Sequence, residues 1–409
     1  MSDFHQGGCV TTLHRLQADG IERLESELRS YSQSRSIGLV LPALYCEFEN
    51  PAMRRIVRQL AGADYVRHIV VALGRANQLE YQNARSLFAD FPRPVTFLWM
   101  DSPRIQDLFR TLEEQGLSAG EDGKGRSCWL SYGYLLATGD CDVIALHDCD
   151  IINYDRSFLA RLCYPVVNPA LSFDFCKAFY ARVTDRLHGR VSRLFMTPLI
   201  RAIAEIAPNT PLLRFLDSFR YPLAGEFAMK SSLARVIRIP ADWGLEVGVL
   251  AEVFRNCSPA RACQVDLADN YDHKHQVLSE SDPSKGLRRM TRDIASNLFR
   301  TLAGEGAVFS SEHFRTLEVR YLRMAEDTMT CYYADALLNG LQFDRHSEEQ
   351  TVAAFGRSLR QAAAAFLDDP LGSPLIPNWK RVEAAIPEFF NQLLSAVEHD
   401  ASLAQVQTA

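Results

Sequence analysis

The chain has 409 residues, which at roughly 150 residues per domain leaves room for two or three domains. Hydrophobic residues make up 47% and charged residues 23%, enough apolar material for a large core, so a chain-long disordered protein is excluded. Its 44 basic and 50 acidic residues leave a net charge of −6, which excludes the broad positive field of a nucleic-acid or anionic-membrane binder.

The first 35 residues read as an N-terminal extension with a polar helix starting near Gly20-Ile21-Glu22. Met1 to Gly20 carries no apolar h-region and includes Asp3, His5 and His14, so it does not read as a signal peptide. A strand is expected at Ile37–Pro42, a continuous apolar run of the kind buried in parallel sheets. Pro51 then opens a helix to about Leu60. A strand at Val66–Leu73, a helix at Asn77–Phe88 and a strand at Pro94–Met100 follow. Helices over 104–115 and 125–137 precede a strand at Asp142–His147. This alternation predicts an α/β layer with a mostly parallel sheet flanked by helices, in which ligands bind beyond the carboxyl ends of the strands. Further on, the pattern suggests a long strand over Phe173–Val183, a helix over 192–206, a short strand and helix over 226–239, a helix over 245–256 and a strand over Ala262–Leu267. Beyond about 281 the chain reads as a helical C-terminal region. No apolar stretch is long enough to span a membrane. The ten cysteines contain no Cys-x-x-Cys pair, and they read as reduced core thiols of a cytoplasmic protein.

The residues after each strand deserve inspection first. Asp148-Cys149-Asp150 ends the Asp142–His147 strand. Two carboxylates spaced i, i+2 there form the hard oxygen set that Mg²⁺ or Mn²⁺ prefers when it also holds a diphosphate. A solvated loop would show the same residues, but the apolar strand before them favours the metal. Gly123-Lys124-Gly125 is no P-loop, since Ser118 and Gly125 stand where that pattern needs Gly and Ser or Thr. Its glycines would let backbone approach an anion while Lys124 adds a point charge. Pro42-Ala43-Leu44, followed by Glu47, could receive a nucleoside. Gly189-Arg190-Val191-Ser192 gathers amides, a guanidinium and a hydroxyl for a small anion. Gly225-Glu226 follows a small-residue turn. Glu246 falls in a helix's first turn, where the dipole favours its charge. His273, beyond the last strand, is a candidate metal ligand.

As an ordered series these motifs resemble the glucosyl-3-phosphoglycerate synthases, retaining glycosyltransferases of the GT-A fold related to the mannosylglycerate synthases. The resemblance covers about residues 37–276. It implies a GT-A-type catalytic domain over 36–280, and transfer of a hexose from a nucleotide diphosphate sugar (UDP-glucose) to the 2-hydroxyl of 3-phosphoglycerate or D-glycerate. Pro42, Ala43, Leu44 and Glu47 would cradle uridine. Asp150 and His273 would grip the Mg²⁺ or Mn²⁺, with Lys124, Asp148 and Glu246 at the reacting centre. Gly225 and Glu226 would bound the sugar pocket, and Gly189, Arg190, Val191 and Ser192 would hold the acceptor. A homodimer is implied as well. The chain departs from the family at Tyr45-Cys46, at Ala224, at Gly74-Arg75-Ala76-Asn77 and at Ser192, where the family has Thr.

Rival readings lose on absent motifs. A polysaccharide-forming inverting transferase would carry Gln-x-x-Arg-Trp, and a sugar nucleotidyltransferase a Gly-x-Gly-Thr-Arg loop after its first strand. A mannose donor, or a scaffold that binds nucleotide sugar without turnover, stays open.

Overall fold

A computed structural model describes residues 6, 8–17, 20–272 and 285–403. Eight strands form one sheet: β1 (Thr11–Leu13), β2 (Ile37–Leu44), β3 (Val66–Gly74), β4 (Val95–Trp99), β5 (Val143–Leu146), β6 (Phe175–Phe179), β7 (Phe227–Lys230) and β8 (Ala262–Asp266). Their spatial order is β1-β8-β6-β7-β5-β2-β3-β4, and every pairing is parallel except the two made by β7. The α/β reading therefore holds, with one reversed strand at the centre.

That reversal positions the site. In β7, Phe227 pairs with Leu146 at the carboxyl end of β5. The segment entering β7, Ala224-Gly225-Glu226, thus meets the segment leaving β5, His147-Asp148. A parallel strand would have carried its entry to the opposite edge.

Local chemistry accounts for several helix starts. Asn50 caps the helix Pro51–Ala61 by accepting from the Ala52 amide, with Pro51 in its first turn. Asn77 and Glu80 form a reciprocal capping box on the helix Gln78–Ser86. Ser102 caps Pro103–Glu114, and Asp155 caps Arg156–Val167. β2 and β3 are apolar almost throughout because both faces are covered, and one hydrophobic cluster lies on each side of the sheet.

Several elements differ from expectation. The N-terminal stretch contributes, besides its helix Ile21–Tyr31, an edge strand paired with β8. The expected strand over 173–183 stops at Phe179, and the chain then leaves the sheet into a loop. The expected helix over 192–206 begins as a wide π turn, Ser192–Met196, before the α-helix Thr197–Ile206. The C-terminal helices pack into the core on one face of the sheet: Trp379 stacks on Trp129 with centroids 4.0 Å apart and rings 16° from parallel. No helix among the described residues is long and apolar enough to cross a membrane. All ten cysteines are free thiols.

Candidate active site

A cleft of about 460 Å³ opens at the carboxyl edge of the sheet, and most of the sequence-predicted residues border it. Pro42, Ala43 and Leu44 come from the end of β2, and Glu47 from the short helix Tyr45–Phe48 that follows. Leu44 pairs in register with Gly74 at the end of β3. Arg75 then turns the chain with φ of 54°, the one non-glycine residue among those described with a positive φ. Asp148 and Asp150 leave β5 as expected and border the same cleft.

Lys124, Asp148 and Glu246 meet. The Lys124 Nζ donates to Asp148 Oδ1 at 2.7 Å and to Glu246 Oε1 at 3.1 Å. Burial would depress the ammonium, but the two carboxylates outweigh it and hold Lys124 protonated well above its ordinary range. Two helices bring these groups together, Lys124–Thr138 and Leu245–Asn256, each presenting its charged residue in the first turn.

The glycines around Lys124 allow close packing against protein. A Cβ on Gly125 would lie 3.0 Å from the Ala241 carbonyl carbon and inside contact distance of the Pro240 oxygen; one on Gly123 would strike the Ala241 oxygen. The Gly125 amide donates to the Ala241 carbonyl at 3.2 Å. At the same dipeptide, the Pro240 ring fills the space a Cβ on Gly248 would need, 2.6 Å from its Cγ. Both charged helices are therefore seated on Pro240–Ala241.

Gly225 has a similar reason. An added Cβ would stand 2.8 Å from Asp148 Cγ and closer still to Oδ2. Only a residue without a side chain lets the Asp148 carboxylate lie against this turn. Glu226 is buried just beneath, accepting from the Tyr180 hydroxyl at 2.6 Å. Burial, then the nearby Asp148 charge, raise its carboxyl above the usual range. Lys177, fully buried on β6, donates to the Ala224 carbonyl at 2.5 Å and fixes the same turn. Burial lowers its ammonium to about 8, against the opposing pull of Glu246 and Glu226.

The cleft lining also includes a set of basic residues. Gly189 adopts φ of 73°, a left-handed conformation that suits glycine, and the turn it makes brings Arg190, Val191 and Ser192 to the cleft. Arg182, Arg186 and Arg289 also border it, and an Arg182 Nη donates to the Tyr221 hydroxyl at 3.3 Å. Sequence reasoning missed Arg182, Arg289, Tyr180, Tyr221 and Lys177. Arg182 was within reach, since it follows a strand end, but drawing that strand to Val183 hid it. His273 lies outside the described residues. Asp272, just before it, is tied to the loop that follows Asp150: the Ile152 amide donates to the Asp272 carbonyl at 2.8 Å, and the Asp272 amide to Asn153 Oδ1 at 3.0 Å. Among the described residues, no three His, Cys, Asp or Glu side chains gather into a metal cage of their own.

No protein-family model matches the chain. The glucosyl-3-phosphoglycerate synthase of Persephonella marina is 49% identical over 402 residues, 98% of this chain and 100% of that protein. The chain belongs to the glucosyl-3-phosphoglycerate synthase family. It is thus a glycosyltransferase. The synthase of Methanococcoides burtonii is 39% identical over 399 residues, 96% of this chain and 97% of its own length. Among solved structures, the Mycobacterium tuberculosis glucosyl-3-phosphoglycerate synthase in complex with Mn²⁺, UDP-glucose and phosphoglyceric acid superposes with a TM-score of 0.54 at 23% identity, covering 74% of this chain and 89% of that one. That likeness establishes the shared fold.

Proposed function

We propose that this synthase moves glucose from UDP-glucose to the 2-hydroxyl of 3-phospho-D-glycerate, with retention at the anomeric carbon and with a divalent cation, Mg²⁺ or Mn²⁺, on the diphosphate. The observation that carries the reading is the protonated Lys124 held between Asp148 and Glu246, in one cleft with Arg182, Arg186, Arg190 and Arg289. The carboxylates of the cleft suit a cation-bound diphosphate, and its arginines suit an acceptor with a carboxylate and a phosphate. The ligands of the mycobacterial neighbour are of the same classes.

The residues present fit the cation. Asp148 and Asp150 offer hard oxygens at a strand end, and glycine at 225 makes the room that the Asp148 carboxylate occupies there. Asp150 would hold the cation with His273, while Asp148 is engaged by Lys124. When bound, the cation would neutralise charge on the leaving diphosphate. Pro42, Ala43, Leu44 and Glu47 receive the uridine, and Gly225 and Glu226 bound the glucose. Gly189, Arg190, Val191 and Ser192 hold the acceptor.

The glucosyl C1–O bond to the diphosphate breaks as the acceptor oxygen bonds C1 from the same face, and the hydroxyl proton passes to the departing phosphate oxygen. UDP and glucosyl-3-phosphoglycerate result. Lys124 is preorganised to stabilise the negative charge that grows on that oxygen. Glu246 orients hydroxyls and keeps the ammonium in place, so no strong protein base is needed.

A panel crossing UDP-glucose and GDP-mannose with 3-phosphoglycerate and D-glycerate tests the reading. Turnover is expected with UDP-glucose and 3-phosphoglycerate, lost on chelation and restored by Mg²⁺ or Mn²⁺. A preference for GDP-mannose, or donor binding without transfer, would refute it.

A further inference from the structure

The segment Gln342–Glu348, at the start of the helix Arg345–Asp368, runs along the back of the loop that carries Arg190. Contacts join them at two places. The Gln342 amide donates to the Asp185 carbonyl at 2.8 Å, and an Arg186 Nη donates to Gln342 Oε1 at 3.1 Å. Further along, the Arg190 Nε donates to Glu348 Oε1 at 2.9 Å and Arg190 Nη2 to Ser347 Oγ at 3.1 Å.

Glu348 uses its second oxygen as well. Arg193 Nη1 donates to Glu348 Oε2 at 3.0 Å, while Arg193 Nε and Nη2 donate to the carbonyls of His188 and Leu187 at 2.8 and 3.2 Å. The Arg193 guanidinium also lies 4.9 Å over the Tyr332 ring, on the helix Ser311–Leu338. One buried carboxylate, 5% exposed, thus holds both the cleft-facing arginine and the clamp on the loop backbone. Buried charge-assisted pairs of this kind fix geometry more reliably than exposed ones. The helix supports the arrangement: Asp344 caps it by accepting from the Ser347 amide at 3.0 Å, and Glu348 sits in the first turn, where an acidic group is favoured.

We infer that Glu348 is a positioning residue for the acceptor: it fixes Arg190 through Nε so that the Nη1 side of the guanidinium is presented to the anionic acceptor, making the C-terminal helical region part of the acceptor site's construction. This rests on the reading that Arg190 holds the acceptor. The alternative, in which Glu348 merely joins the two parts of the fold, predicts lost stability without a selective kinetic effect.

Steady-state kinetics of the full-length enzyme with UDP-glucose, 3-phosphoglycerate and Mg²⁺ separate the two, using Glu348→Gln, Ser347→Ala and Arg190→Ala alongside thermal unfolding. Glu348→Gln is expected to raise the acceptor KM roughly ten- to a hundredfold while the donor KM stays within about twofold, and Glu348→Asp is expected to recover part of the loss. Ser347→Ala removes one contact to Arg190 and none to Arg193, so a smaller acceptor-selective rise is expected; it decides the matter should Glu348→Gln not fold. If Arg190→Ala raises the acceptor KM and neither the Glu348 nor the Ser347 variant does, the inference is overturned. A lower acceptor KM in Glu348→Gln would overturn it too, because Glu348 would then compete with the acceptor. If Arg190→Ala itself leaves the acceptor KM unchanged, what fails is the acceptor assignment of Arg190.

Discussion

Substituting Gly225 by alanine probes the joint between the turn into β7 and the Asp148 carboxylate. The new methyl would begin 2.8 Å from Asp148 Cγ, whereas carbon atoms rest at about 3.5 to 4.0 Å, so the carboxylate must retreat by close to 1 Å. The turn cannot yield readily, because Lys177 holds the Ala224 carbonyl at 2.5 Å and Tyr180 holds Glu226 at 2.6 Å. Retreat would stretch the 2.7 Å contact between Lys124 and Asp148 beyond hydrogen-bond range. A misplacement of that size in a catalytic centre costs roughly a hundredfold in rate, or about 2.7 kcal/mol of activation free energy. Overpacking of the fold adds a stability loss of about 1–3 kcal/mol. Initial rates with UDP-glucose and 3-phosphoglycerate, paired with thermal unfolding, measure both. A folded Gly225→Ala enzyme with kcat/KM within about twofold of the parent would refute the claim that this turn seats Asp148.

Lys124→Met should lower kcat by about a hundred- to a thousandfold with circular dichroism unchanged, as loss of a preorganised cationic donor predicts, and a drop under about tenfold would remove it from the reacting centre. Gly133→Ala places a Cβ 2.6 Å from Trp379 Cε2, so thermal unfolding should shift down by an overpacking cost of about 1–3 kcal/mol. Lys177 should leave a pH signature in stability. Folded Lys177 binds its proton only below about 8, whereas the unfolded side chain does so below the ordinary 10.5, so its burial penalty is full below pH 8 and fades towards pH 10.5. Urea unfolding of the parent should therefore gain about 2 kcal/mol relative to Lys177→Met between pH 7.5 and 9.5. Parallel pH curves for the two proteins would contradict this.

The strands from β2 to β5 and the Asp148-Cys149-Asp150 strand end were legible because buried parallel strands write themselves as unbroken apolar runs, whereas the three-residue edge strand β1 was not. The orientation of β7 was not, since Phe227–Lys230 would read the same in either direction; only pairing with both β5 and β6 decides it. Lys124 and Glu246 were each visible as candidates, but nothing local says that residues 122 positions apart share a hydrogen bond. The glycines at 123 and 125 were visible but their packing against Pro240–Ala241 was not, since a glycine records that something comes close without recording what. Glu348 carried no signal, for a lone acid in a helical first turn ordinarily faces water.

The seat formed by Pro240–Ala241 has a consequence for how such an enzyme can diverge. The helix carrying the ammonium and the helix carrying the carboxylate both pack on one small dipeptide, so the 3.1 Å contact between the two charges depends on how closely each helix approaches it. A bulkier residue at 123, 125 or 248 has room only if volume is surrendered across the joint. Change at these positions must therefore come in matched pairs, or the two charges part company.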